Sequence, residues 1–240
     1  MDIGMFGEPI VQLVVHVMNV RRVDPQQGYD LWAETYDTTP NAVVRFDERI
    51  TPRDVEPRPG ERILDAGCGT GRYFPKLIAA RSRVTGMDFS AGMLRVARQN
   101  HPAVPLVVAE LQRSWPFPDG TFDAVLCALV GEHLDDLAIV FEEMHRVLVP
   151  SGRAVFSVYH PAMADAGKEA HFFKGELEYR LGAVKHSLAD YRAAIEDAGF
   201  EEITLAEHHG DQELASSGPG FQKFLDFPLL IVFRVTKRGC

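Results

Sequence analysis

Three glycines at alternate positions, Gly67, Gly69 and Gly71, directly follow the apolar pair Ile63-Leu64 and the acid Asp65. Behind them, the apolar residues of Arg72-Tyr73-Phe74-Pro75-Lys76-Leu77-Ile78 fall at helical spacing. A buried strand that runs through glycines into a helix is the junction by which an open α/β sheet makes room for a nucleotide-like ligand. Glycine adopts backbone dihedrals that other residues avoid, and it lets the chain lie against the ligand with no Cβ between them.

The spacing excludes two common ligand classes. A dinucleotide fingerprint needs a glycine at the sixth position, and counted from Gly67 that position is Arg72. A nicotinamide oxidoreductase is disfavoured on that ground. No Gly-Lys-Ser/Thr ending follows, so a phosphate-cradling P-loop is excluded as well. What remains, Asp65-x-Gly-x-Gly-x-Gly, resembles the first motif of the class I S-adenosylmethionine-dependent methyltransferases of the small-molecule type. The resemblance covers roughly residues 29–236, with its specific motifs between 63 and 159. It implies a Rossmann-like α/β fold: a seven-stranded, mostly parallel sheet with helices on both faces and an antiparallel last strand. An N-terminal helical lid and an insertion after the fifth strand complete it. In such a protein the glycine turn passes under the methionine part of the cofactor, and Asp65 helps to hold its amino group.

The chain divides on this reading into an arm and lid segment, 1–50, and a cofactor-binding domain, 51–240. Val11, Leu13, Val15 and Val17 alternate like a strand, although a packing helix or an arm on a partner subunit fits as well. Tyr29, Trp32 and Tyr36 lie three and four residues apart, on one helix face. Their segment resembles the leading helix that closes over the cofactor in many small-molecule methyltransferases. Pro52, Pro57 and Pro59-Gly60 mark a loop before the strand Arg62–Ala66. A second strand, 83–88, ends in Asp88, 17 residues after Gly71, near the spacing of a carboxylate that accepts bonds from ribose hydroxyls. Ser90 is placed to cap the helix that follows. Further strands are expected at 105–109, 122–129, 153–159, 203–207 and 229–236, with 211–227 a long loop. Residues 161–186 break the alternation and read as a substrate-lid insertion over the carboxyl edge of the sheet.

Composition narrows the partners. The formal net charge is −9, and no cluster of Lys and Arg forms a basic face, so nucleic acid is excluded in favour of a small molecule. The three cysteines are odd in number and far apart, which builds neither a disulfide framework nor a zinc site. Ile10–Val20 is too short and too polar to span a bilayer, and no basic residue precedes it as in a secretory signal. A cytoplasmic protein is expected, with no metal and with homodimerisation through the Val-rich first residues left open.

The resemblance places Tyr36, Asp65, Gly67, Gly69, Gly71, Asp88, Phe89, Met93, Glu110, Leu111 and Ala128 around S-adenosylmethionine, with Glu110 on the adenine amino group. A hydroxyl or ammonium acceptor must also lose a proton. His133 and His160, each at the expected mouth of a strand, are the candidate bases because imidazole titrates near neutrality. Glu132 and Tyr159 are weaker alternatives. His208 and His209, adjacent on a strand, would point to opposite faces, which makes them solvent-facing polar residues and no metal pair. Tyr29, Trp32, Tyr159, Phe172, Phe173 and Tyr179 would line an aromatic acceptor pocket, with the 211–227 loop as a further candidate wall. The expectation is methyl transfer to a flat, aromatic or heteroaromatic metabolite, at oxygen before nitrogen or carbon. The alternative is a non-catalytic S-adenosylmethionine-binding regulator or scaffold, which a plugged acceptor cavity would indicate.

Overall fold

The computed structural model describes residues 19–239, so the alternating run Val11–Val17 lies outside the described residues. Its main body is a seven-stranded sheet built from β2 (Arg62–Ala66), β3 (Arg83–Asp88), β4 (Leu106–Val108), β5 (Phe122–Ala128), β6 (Leu148–Tyr159), β9 (Phe200–His209) and β10 (Pro228–Lys237). The order across the sheet is β4-β3-β2-β5-β6-β10-β9. Only β10 runs against the others, pairing antiparallel with both β6 and β9. The sequence of β5, Phe-Asp-Ala-Val-Leu-Cys-Ala, is almost continuously apolar because helices cover both faces of a parallel sheet.

Those helices divide the core in two. On one face α2 (Ala42–Val55), α3 (Phe74–Ala79) and α4 (Ala91–Asn100) bury Phe46, Val55, Phe74, Leu77 and Leu94. On the other face α5 (Leu137–Val147) and α7 (Leu188–Asp197) bury Phe141, Met144, Tyr191 and Ile195. The caps are those written in the sequence. Ser90 accepts from Met93 N at 3.1 Å, and Ser187 with Asp190 closes a reciprocal capping box.

The prolines mislead at one place. Pro52 lies inside α2, which runs straight through the 50/51 boundary and packs on β6 and β10. A proline in a helix leaves the carbonyl four residues back without its donor. Here that carbonyl belongs to Glu48, and the ammonium of Lys76 donates to it. Asp47, fully buried on the same helix, accepts from Thr51 Oγ1 (2.5 Å), Ser157 Oγ (2.7 Å), Arg72 Nη2 (3.0 Å) and the Tyr73 hydroxyl. One carboxylate thereby ties α2, β6 and the glycine turn together.

The 211–227 stretch is also not a plain loop. Asp211 caps α8 (Gln212–Ser216) by accepting from Leu214 N at 2.8 Å, and a 3₁₀ turn follows at Phe221–Phe224. Leu214 and Phe221 are buried and α8 packs beside α2, so this segment forms no wall of the ligand cleft described below. His208 departs from the expectation of a solvent-facing residue. It is half-buried with its ring 6.5 Å from that of Phe46, whereas His209 is exposed.

A second, three-stranded sheet lies over the carboxyl ends of the main one. Its order is β1 (Asn19–Arg22), β8 (Leu177–Arg180), β7 (His171–Lys174), with β1 parallel to β8 and β7–β8 a hairpin. The insertion after β6 is therefore ordered: it opens with the short α6 (Pro161–Asp165) and continues into this hairpin. Helix α1 (Pro25–Trp32), capped by Asp24 on Gln27 N at 2.9 Å, connects the cap to the body.

Candidate active site

The glycine turn opens a cleft of about 720 Å³, open solvent included, at the carboxyl ends of β2, β3 and β5. Gly67 and Gly69 line it with φ of +79° and +55°. A Cβ on Gly67 would stand 2.6 Å from Val130 Cγ1, so both conformation and space require glycine there. Gly71 does not line the cleft. A Cβ on it would meet the Phe74 ring at 2.6 Å, so its task is close packing of the turn on α3.

Asp88 borders the cleft and accepts from Gly69 N and Ser90 N, both at 2.8 Å. One lone pair remains on each of its oxygens, enough for two neighbouring hydroxyls. Burial, partly offset by those N–H donors, pushes its carboxyl up to about 6. Asp65 does not line the cleft: it stands beneath the turn, 1% exposed, and neither oxygen has a partner among the described residues. Burial pushes it up to about 7. An ion without a partner in such a place is costly, and a ligand ammonium would relieve it.

Tyr36, Phe89, Met93, Glu110, Leu111 and Ala128 all line the cleft, as the resemblance implied. Thr70, Arg72, Leu129 and Val130 join them without having been singled out. Arg72 entered the sequence argument only as the residue that is not glycine. Its guanidinium is the cleft's cation, held at 3.0 Å by Asp47. Leu129 takes a left-handed φ of +53° where the chain leaves β5, a sharp turn that swings Val130–His133 across the mouth. Trp115, for which the sequence offered no reason, donates from Nε1 to Leu111 O at 3.0 Å and so braces the lining at Leu111.

His133 sits in the 3₁₀ turn Gly131–His133 and lines the cleft. Its Nε2 is 2.9 Å from the Tyr29 hydroxyl, and burial lowers its pKa to about 4. His160 is elsewhere. Its Nδ1 accepts from Ala162 N at 3.1 Å as the cap of α6, and its Nε2 faces Glu207 at 3.6 Å. Both nitrogens are engaged outside the cleft, so His160 is not a base for chemistry there.

The aromatic set divides too. Tyr29 lines the cleft. Trp32 stacks on Phe172, and Phe172 on Tyr179, each at 5.0 Å between centroids and nearly parallel, forming the cap's own small core. Phe172 and Tyr179 are thus spent on holding the cap together, and Phe173, 51% exposed, faces outward. Tyr159 borders a separate cavity beyond the ends of β5 and β6. The cap is latched to the cleft by Gln26 Nε2 on Phe89 O (2.8 Å) and by Asp30, which accepts from Ser90 Oγ (2.6 Å) and Gly92 N (2.8 Å).

Comparison with known proteins agrees with this geometry. Residues 64–156 match the family model described as a methyltransferase domain. A demethylmenaquinone methyltransferase of Lysinibacillus sphaericus is 32% identical over 224 residues, covering 80% of this chain and 92% of that one. A protein of the same name from Streptomyces avermitilis is 36% identical over 141 residues, covering 57% of this chain and 61% of that protein's length. Among solved structures, the [4+2]-cyclase SpnF superposes with a TM-score of 0.67 at 17% identity, over 92% of this chain and all of that one. The chain belongs to the class I S-adenosylmethionine-dependent methyltransferases.

Among the described residues no helix is long and apolar enough to cross a membrane. None of their His, Cys, Asp and Glu side chains form a group able to hold a metal ion.

Proposed function

We propose that this protein transfers a methyl group from S-adenosylmethionine to a small aromatic or heteroaromatic metabolite, at oxygen in preference to nitrogen or carbon. The observation that carries the reading is the pair of buried acids at the glycine turn: Asp65 with both oxygens unpartnered among the described residues, and Asp88 with lone pairs to spare. Asp65 would take the cofactor's ammonium, Arg72 its carboxylate, Asp88 the ribose hydroxyls and Glu110 the adenine amino group, with Phe89, Met93 and Leu111 beside the base. When bound, S-adenosylmethionine supplies a methyl on a positively charged sulfur that needs no metal for its transfer.

What the chain must add is alignment, worth on the order of 7–11 kcal/mol of the barrier for well-oriented reactants. The latched cap supplies it by closing the cleft with Tyr29 and excluding water. Tyr29, Tyr36 and Phe89 give the cleft aromatic walls, and Tyr159 and Tyr191 do the same for the neighbouring cavity. That favours a flat acceptor, in keeping with relatives named for demethylmenaquinone. The likeness to a [4+2]-cyclase is one of fold alone.

The test is incubation with S-adenosylmethionine and a panel of phenols, naphthols and naphthohydroquinones, read by mass spectrometry. Products heavier by one methylene are expected from the hydroxyl-bearing ring compounds. Methylation confined to aliphatic amines or acids would overturn the acceptor class.

A further inference from the structure

Arg72 stands between two cavities. It lines the cofactor cleft, and with Tyr36 and Thr70 it also lines a second, polar groove. That groove measures about 960 Å³, open solvent included, and runs between the 37–48 stretch and the end of α4 at Asn100. It carries its own carboxylates, Asp37 and Glu48. Asp37 is engaged, accepting from Thr70 Oγ1 at 2.6 Å. Glu48 is half-buried, and burial raises its pKa while the charge of Arg72 lowers it. The guanidinium therefore has two directions to serve, the cofactor cleft or the groove with Glu48.

Asp47 decides between them, and its two oxygens divide the work. Oδ1 accepts from Thr51 Oγ1 (2.5 Å) and Ser157 Oγ (2.7 Å), which fixes the carboxylate to α2 and β6. Oδ2 accepts from Arg72 Nη2 (3.0 Å) and from the Tyr73 hydroxyl. The guanidinium is held on two further sides. Its Nη1 donates to Val44 O at 3.3 Å, and its carbon lies 4.4 Å from the centroid of the Tyr73 ring. A guanidinium has five N–H donors in a planar fork, so these two bonds leave three for a ligand.

We propose that Asp47 is a positioning residue. It holds the Arg72 guanidinium on the cleft side, away from Glu48, so that Arg72 selects cofactors with an amino-acid carboxylate over nucleosides that lack one. The inference rests on the methyltransferase reading above, in which Arg72 takes the carboxylate of S-adenosylmethionine. Asp65 answers the ammonium and the Asp47-held Arg72 answers the carboxylate, so the site is matched to a zwitterion.

Two physical effects give Asp47 this weight. The Asp47 side chain is fully buried and that of Arg72 is 11% exposed, so water does not replace their bond when it breaks. An unrestrained arginine would also lose its rotamer freedom on meeting a ligand. Asp47 takes that loss during folding, before the cofactor arrives, and preorganisation of this kind strengthens binding. A lysine at position 72 would not serve. Only the planar fork can meet Asp47 on one edge and a ligand carboxylate on another.

The test is calorimetric titration of the full chain with S-adenosylhomocysteine and with its decarboxylated analogue, which keeps the ammonium, the thioether and the adenosine. Wild-type protein should bind S-adenosylhomocysteine about 10- to 100-fold tighter, the usual worth of a hydrogen bond to a charged group. Asp47→Asn keeps the volume and removes the charge that holds Arg72. It should bring the two affinities within a few-fold of each other and leave that of the analogue near its wild-type value. A purely structural role would weaken both ligands alike and keep their ratio. Nitrogen NMR of the ligand-free wild-type chain reads the same contact without altering Asp47, with Arg72 assigned by the signal lost in Arg72→Lys. Its guanidinium should show restricted rotation and separate Nη signals. Equal wild-type binding of the two ligands, a wild-type ratio in Asp47→Asn, or a freely rotating Arg72 would overturn the proposal. Wild-type protein that binds neither ligand would overturn the underlying reading instead.

Discussion

The two ends of the ligand site are built in opposite ways. The cofactor end comes mainly from one run, β2 to Leu111, in which glycine backbone and acids at strand ends do the work, with Tyr36 and Ala128 added from outside it. The cap draws on β1, α1 and the β7–β8 hairpin, about 150 residues apart in sequence, held by the stack Trp32–Phe172–Tyr179. Backbone sites at strand ends demand particular residues at fixed spacing. A side-chain core demands only apolar bulk, which many sequences supply. The first kind of site is written locally and the second is not.

That contrast can be broken by substitution. The largest effect is expected at Asp88→Ala, which strips acceptors from Gly69 N and Ser90 N as well as from the ligand. Affinity for S-adenosylhomocysteine should fall by about 100-fold or more, since bonds to charged groups are worth about 1.5–3 kcal/mol each. An unchanged dissociation constant would remove the ribose assignment. Next is Phe172→Ala, which empties the middle of the stack and should cost the cap about 3–5 kcal/mol. Hydrogen exchange should then accelerate in 19–22 and 171–180 and leave β2, β5 and β6 protected. Uniform acceleration would mean that cap and body are one cooperative unit.

A pH effect comes third. Asp65 titrates near 3.8 when unfolded and is pushed up to about 7 when folded. Between those values the folded state binds more protons, so the ligand-free protein should lose stability as pH rises from about 4 to about 7. Affinity for the ammonium-bearing S-adenosylhomocysteine should rise over the same window, and Asp65→Asn should make both profiles shallower, with Asp88, pushed up to about 6, keeping its own share. The smallest effect belongs to Tyr29→Phe, which removes one hydrogen bond to His133. It should weaken S-adenosylhomocysteine by no more than about tenfold, consistent with a net bond of about 0.5–1.5 kcal/mol.

How far the sequence could be read follows from the same contrast. The strand ending at Asp88 and the cap at Ser90 were legible because short-range rules determine them, whereas Phe89 and Glu110 came with the family resemblance. Helix α2 was not, because Pro52 signals a break and only the distant Lys76 makes it tolerable. His160 looked like a base from its place after β6, but Ala162 N and Glu207 occupy its nitrogens. Phe172 and Tyr179 were read as lining an acceptor pocket, yet composition could not distinguish aromatics that face a ligand from aromatics that face each other. Arg72 was informative twice, first as a missing glycine and then as the cleft's cation, and only its buried partner Asp47 reveals the second role.

The central claim is that the glycine turn, Asp65 and Asp88 form a site for S-adenosylmethionine. Its most direct test is calorimetric titration of the purified chain with S-adenosylhomocysteine at pH 8, repeated with NAD. The account predicts one-to-one binding of S-adenosylhomocysteine with a dissociation constant in the micromolar range or below, equivalent to about 8 kcal/mol or more, and no binding of NAD. Silence with S-adenosylhomocysteine, or binding of NAD in its place, would contradict it.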